Sequence, residues 1–377
     1  VVAPRYDTQE SIYQDFFKEL KEAAAELDDN KASFGNADLY YGGNVSKWKK
    51  FANSLRLRLA LRVRYVNAQM AQTNMSDLQE SDLITSMADN AVISTLDDIE
   101  GHRNSGYNVI VNSPDEAARQ DFVAHQPVGK ALLDVLVGSS PRNNPLDPRT
   151  KVIADTAVLN GTTLTPPQPA FGFRAQPILK SSEVYFALAE ATLFNLRPGD
   201  ANSYFKKGIE ASVAETKDLY ESGAAQMPAL LNLMYGPGVD AGGFLDYKEM
   251  KNSEITAFLA SPATTLSGSD EQKLEQIINQ KIIALYPNTL EGWSDWRRTG
   301  YPRVLVASNE QSTFKGVSPR RQHYPNNEKL VNIANNKEAV ERMGGVDDMM
   351  KRIWWDANTA APHLHSGTVL SQPEPWR

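Results

Sequence analysis

Residues 291–302 read Glu-Gly-Trp-Ser-Asp-Trp-Arg-Arg-Thr-Gly-Tyr-Pro. Two tryptophans, paired arginines and a tyrosine have the composition of a ligand site, but their spacing points to a scaffold. Trp293 and Trp296 are three residues apart, so on a helix they share a face and favour packing. Arg297 and Arg298 offer forked donors that suit carboxylates or the last carbonyls of a helix. Gly300 and Pro302 then end the helix.

Upstream of this block, apolar periodicity predicts a long helix from about Glu271 to Tyr286, stopping before Pro287. A clearer unit spans Ser181 to Lys217. Val184, Phe186, Leu188, Ala189 and Leu193 build one helix, Arg197-Pro198-Gly199-Asp200 breaks it, and Asp200 is placed to cap the next. Tyr204, Phe205, Ile209 and Val213 give the second helix its apolar face. The pair spans about one tetratricopeptide period of ~34 residues.

Nearer the start, Ile12, Tyr13, Phe16, Phe17, Leu20 and Leu27 recur at helical spacing. Between Trp48 and Met70 two periods compete. Leu55 to Arg64 alternates apolar and basic residues as a strand would, yet Trp48, Phe51, Leu55, Leu59, Val63, Val66 and Met70 form one helical stripe. Strands seldom exceed ~10 residues, so length favours a helix. Arg56, Arg58, Arg62 and Arg64 then flank the stripe as a solvated or ion-paired face, with an anion site as the minority reading. These two helices make a second pair with a longer loop. The fold class expected is therefore all-α, a tetratricopeptide-like helical-repeat scaffold with long irregular loops and few short strands.

The loops carry their own signals. Asn160-Gly161 predicts a short hairpin between Lys151–Leu159 and Thr162–Thr165. Leu233 to Asp246 is dense in glycine and reads as an exposed loop. Beyond Arg303 the chain reads as mostly irregular, apart from a short helix near Glu338–Arg342. Irregular stretches this long are uncommon in compact domains unless they build a binding surface.

Composition narrows the function. A formal net charge of -7 argues against a nucleic-acid partner, which usually meets a basic stripe. With no cysteine the chain has no disulfide, thiolate metal site or thiol nucleophile. No phosphate-cradling glycine loop and no Gly-x-Ser-x-Gly elbow occurs. His363 and His365 are a weak metal signal, and Asp97-Asp98 and Asp347-Asp348 read as surface or capping residues. No catalytic residue, metal or cofactor is assigned, and the chain is not read as an enzyme.

From Asn279 to Pro302 the sequence strongly resembles the SusD/RagB family of outer-membrane nutrient-binding lipoproteins of Bacteroidetes. The likeness is to the branch carrying a Trp-x-x-x-Arg-Arg-Thr-Gly-Tyr-Pro signature, here Trp293, Arg297, Arg298, Thr299, Gly300, Tyr301 and Pro302. Further segments agree in order: Asp38–Gly43 with Trp48–Arg58, Asp147-Pro148-Arg149, Ser182–Val184 with Ala189–Ala191, Arg320–Pro325, and Trp354-Trp355-Asp356.

The resemblance implies one SusD-like domain over residues 1–377, N-terminally incomplete, without the family's lipobox cysteine. Repeat elements then fall at about 11–72 and 181–217, and loop-rich ligand-binding segments at about 97–178 and 218–270. The signature and C-terminal block cover about 271–377. It also implies an extracellular position on the outer membrane, held by an N-terminal lipid outside these residues. There such proteins act with a SusC-like TonB-dependent transporter, to which they deliver oligosaccharides or, in some members, peptides.

Sugar recognition needs flat aromatic faces and planar polar groups, placed on loops held by a rigid scaffold. The best matches are Arg103, Asn104, Tyr107 and Asn108 in one loop, then Tyr235 with Asp240, and more weakly Phe171 and Phe173. Glycan capture is the leading function. Peptide capture on the same scaffold, a tetratricopeptide-type protein adaptor, and a glycoside hydrolase are the alternatives.

Overall fold

The computed structural model describes residues 3–94, 147–153, 175–224, 240–286, 288–302 and 319–361, together with short pieces between them. The chain is built from helices, α1 (Gln9–Glu26), α2 (Val45–Val63) and α3 (Ala68–Thr73) coming first. Strand β1 (Ala91–Ser94) follows, then α4 (Arg149–Ile153), β2 (Ala157–Leu159), β3 (Thr162–Leu164) and β4 (Ala175–Leu179). Next come α5 (Ser181–Leu193), α6 (Ala201–Ala224), α7 (Ala241–Lys248), α8 (Asn252–Leu259), α9 (Asp270–Leu285) and α10 (Thr289–Thr299). Helices α11 (Asn326–Val331) and α12 (Ile333–Arg342) close the described order. The scaffold is all-α and tetratricopeptide-like, with short strands as decoration.

Helix α5 is the centre of the molecule. Val184, Ala187, Leu188 and Ala191 join Tyr13 and Phe17 of α1 and Leu57, Ala60 and Leu61 of α2 in one core. On its other side Phe186 and Ala189 pack with Phe205, Ile209 and Val213 of α6, Phe258 of α8, and Ile277 and Ala284 of α9. α5 is buried on nearly every side, its carboxylates Glu183 and Glu190 included. The α5–α6 approach is close because residue 208 is glycine. A Cβ there would lie 2.7 Å from the Phe186 ring.

The Asn160-Gly161 hairpin forms, with a first arm shorter than Lys151–Leu159 because Lys151–Ile153 belong to α4, whereas the β1–β4 pair had no sequence signal. β2 and β3 pair antiparallel with Leu159 opposite Thr162, as an Asn-Gly turn requires. β1 and β4 pair from Ala91↔Leu179 to Ser94↔Ala175, which carries the chain into α5. Ser269 and Gln272 cap α9 reciprocally, the Gln272 amide oxygen accepting from the Ser269 N–H at 2.8 Å. Gly300, at φ +82°, ends α10 by donating to the Trp296 carbonyl at 2.8 Å.

Three expectations need correction. The stripe from Trp48 to Met70 is two helices, because the Asn67 side chain accepts from the Met70 N–H at 2.9 Å and starts α3 afresh. The glycine-dense stretch ending at Asp246 is helical from Ala241, where Asp240 supplies the cap. More broadly, the segment 218–270 is less loop-rich than expected, since α6 continues to Ala224 and α7 and α8 follow.

The two ends of the described chain meet. Asn332 and Asn335 donate to the carbonyls of Pro4 and Ala3 at 2.8 and 3.1 Å, and Arg342 donates to that of Tyr6 at 2.8 Å. Trp354 packs on Tyr13 with ring centres 5.7 Å apart, and Trp355 enters the α1–α2–α5 core.

Candidate functional site

The tryptophan–arginine block of α10 is sealed inside the scaffold. Arg298, 1% exposed, donates to both carboxylate oxygens of Glu190 on α5 and also bonds Asp295 at 2.7 Å. Lys281 of α9 reaches Asp295 at 2.8 Å. From α2, Arg58 grips Glu183 with two bonds of 2.7 Å, Arg64 meets Glu190 at 2.8 Å, and Arg62 pairs with Glu291. One ionic network thus ties α2, α5, α9 and α10 together.

Its electrostatics fit a structural role. Burial alone would push the Asp295 carboxyl up, but Arg298 and Lys281 outweigh it and hold the carboxyl well below its ordinary range. Burial likewise opposes ionisation of Glu190 and Glu291. Arg298 and Arg64 win at Glu190, and Arg62 and Arg58 win at Glu291, so both stay low. The arginines of α2 are therefore an ion-paired face rather than a solvated one. Arg58, Arg62 and Arg64 are matched by carboxylates inside the scaffold and Arg56 by the exposed Asp77, which leaves little to attract an external anion.

Arg297 faces the other way, between two indoles. Its guanidinium lies 3.7 Å from the Trp293 ring and 4.5 Å from that of Trp355, and it donates to the Arg320 carbonyl at 2.8 Å. Burial, with Arg62 nearby, lowers its pKa to about 10. The Asp-Pro-Arg motif is also internal. Arg149 and Asp147, both fully buried, bond each other at 3.0 and 2.6 Å, and Arg149 adds Ser212 at 2.8 Å and Gln280 at 2.6 Å.

Of the candidate ligand residues, Arg103, Asn104, Tyr107, Asn108 and Tyr235 lie outside the described residues, as do Phe171 and Phe173. Asp240 is exposed, and its Oδ1 accepts from the Gly243 N–H at 2.8 Å to cap α7. Among the described residues no cluster of His, Asp or Glu is arranged to hold a metal. His323 lies 3.6 Å from Asp347, which also binds Arg321 and Lys329.

One surface feature was missed in the sequence. The turn between α1 and α2 presents Phe34 and Leu39 to solvent beside a stack of Tyr40, Tyr41 and Trp48. The signal available was the run of aromatics flanking Gly35 and the Gly42-Gly43 pair.

Comparison with known proteins agrees with this geometry. A family model described as "Starch-binding associating with outer membrane" matches residues 1–325. Among solved structures the chain resembles a chitin-binding protein at 28% identity and TM-score 0.68, covering 95% of this chain and 75% of that one. It is also similar to a SusD homolog from Bacteroides uniformis, at 28% identity and TM-score 0.67, covering 94% of this chain and 74% of the other. A SusD homolog from Parabacteroides distasonis shares the fold at 24% identity and TM-score 0.69, over 94% and 75% of the two chains. No curated protein matches.

Proposed function

This chain belongs to the SusD-like family of starch-binding, outer-membrane-associated proteins, and on that premise we propose that it captures oligosaccharides at the cell surface and passes them to a SusC-like TonB-dependent transporter. It is a binding protein rather than an enzyme. The observation that carries this reading is the family match over residues 1–325, which takes in the buried signature and the α5–α6 pair. The chitin-binding protein at 28% identity supports a glycan as the ligand class.

The physical division of labour supports it too. The residues with the richest chemistry are spent inside the scaffold, on salt bridges and indole stacks, so ligand must be met by loops. Loops on a rigid frame lose less conformational entropy on binding than free ones do. On this reading the contacts are Arg103, Asn104, Tyr107, Asn108, Tyr235 and Asp240, and a lipid at the N-terminal side holds the protein to the outer face of the outer membrane. No helix among the described residues is long and apolar enough to cross a membrane.

Native gels containing dissolved starch or a soluble chitin derivative test the capture step. Retarded migration in one polysaccharide is expected, and Tyr107→Ala should relieve it. Free migration in every polysaccharide tested would overturn the reading. Deleting the gene tests delivery: growth on that glycan should fail while growth on its monosaccharide persists.

A further inference from the structure

The turn between α1 and α2 holds an aromatic ring in solvent on a backbone that is firmly fixed. Phe34 is 85% exposed. Just beyond it, Asp38 accepts from the N–H groups of Tyr40, Tyr41 and Gly43 at 3.0, 3.2 and 2.9 Å, and from the Trp48 indole at 2.7 Å. Burial opposes the Asp38 charge, but these bonds prevail and keep its pKa low. The Ser33 hydroxyl donates to the Gly43 carbonyl at 2.6 Å. At Gly43 the two sides of the turn touch so closely that a Cβ would lie 2.7 Å from the Gly35 nitrogen.

Beside this turn, at the C-terminal end of α1, lies a cleft of about 600 Å³. That is within the ~300–1,000 Å³ typical of small-molecule sites. Glu26, Asp28, Asp29, Asn30, Lys31 and Lys49 supply its polar lining. The lining is held in place by Ser46, which donates to Asp29 at 2.8 Å, and by the Asn30 N–H and side-chain amide, which donate to Asp28 at 2.9 and 3.0 Å. Phe34 follows Lys31 by three residues, a reach of roughly 10 Å at full extension.

We infer that the cleft and the Phe34 ring together form a subsite for a neutral oligosaccharide. One pyranose ring lays its CH-rich face on Phe34, and its neighbour offers hydroxyls to the carboxylates and amide of the cleft. The charges select the ligand class. Three acids, Glu26, Asp28 and Asp29, outnumber the two lysines of the lining, and Lys31 lies 3.9 Å from Asp28, so there is no surplus of cations to hold an acidic sugar or a peptide carboxylate. An exposed aromatic within chain reach of planar polar groups suits a sugar chain, and pinning the loop in advance reduces the entropy lost on binding. This subsite rests on the glycan-capture reading and adds to it a location on the turn between α1 and α2.

Isothermal titration of the whole chain against neutral oligosaccharides from starch and from chitin tests it, using wild type, Phe34→Ala and Phe34→Trp. Phe34→Ala should bind roughly five- to tenfold more weakly, with Phe34→Trp close to wild type. Because the ring is in solvent, all three should melt together, so a change in affinity reports the contact itself. Equal affinity of wild type and Phe34→Ala would overturn the subsite and leave glycan capture standing. Silence of the wild type with every oligosaccharide would overturn both.

Discussion

Arg298 and Glu190 lie 108 residues apart in sequence and form a fork-to-fork ion pair in the interior, with Arg298 1% and Glu190 0% exposed. The pair joins the signature helix α10 to the central helix α5. Forming a buried pair gains little over an apolar contact, but removing one partner strands the other charge and costs ~3–5 kcal/mol.

Glu190→Gln should therefore destabilise the fold by about 3 kcal/mol, somewhat cushioned by Asp295, which also contacts Arg298. Urea denaturation measures this directly. As a control, Lys217→Ala removes an exposed i,i+4 pair with Glu221 and should change stability by under ~0.5 kcal/mol. Equal effects of the two substitutions would refute the network's role.

A second test concerns packing. Gly208 is in the interior of α6, where alanine would ordinarily gain up to ~1 kcal/mol in helix propensity. Here the new methyl would meet Phe186 at 2.7, 2.9 and 3.0 Å. That ring is fully buried against Phe205, 6.0 Å away between centres, and has little room to yield. Overpacking costs ~1–3 kcal/mol, so Gly208→Ala should be net destabilising by about 1 kcal/mol or more. A raised melting temperature would contradict the close α5–α6 approach.

These two sites also show what could be read from sequence and what could not. The α5–α6 pair was legible because its periodicity and the Arg197–Asp200 break are local signals. So were the β2–β3 hairpin and the end of α9. The partners of the α2 arginines were not, since Glu183, Glu190 and Glu291 lie more than a hundred residues away and no local pattern pairs them. The break at Asn67 was hidden because the apolar stripe runs on through it. At the ligand face the sequence supplied residue types only. Composition offers Asp240 as a sugar contact, yet the structure gives its side chain a capping bond that composition cannot reveal.

Acid should weaken the fold. Glu190, Glu291 and Asp295 are held below their ordinary values, and Asp347 is lowered to about 2, burial there being outweighed by bonds from Arg321 and Lys329 and from the Tyr324 N–H. A carboxylate depressed on folding stabilises above its unfolded pKa of ~4, and the stabilisation is lost as pH falls through the folded value. Asp356 has the opposite sign, since burial raises its pKa and acid favours its folded form. The depressed groups prevail, so the urea midpoint should be level above about pH 5 and fall steadily from there towards pH 2. A midpoint unchanged across that range would show that the carboxylates are not paired as described.

The Asp240 cap makes a smaller prediction. Asp240→Ala should cost about 1 kcal/mol, whereas Asp240→Asn, also a good cap, should cost almost nothing. If Asp240 touches sugar as well, Asp240→Asn alters affinity without altering stability. Measuring melting and glycan titration on the same two variants separates the roles, and equal loss of stability in both would contradict the cap.

The central claim is that this scaffold captures glycans. Calorimetric titration of the whole chain against neutral oligosaccharides and, separately, against a peptide panel tests it most directly. The account predicts saturable binding to at least one oligosaccharide series and none to the peptides. Binding to peptides with silence towards every oligosaccharide would contradict it.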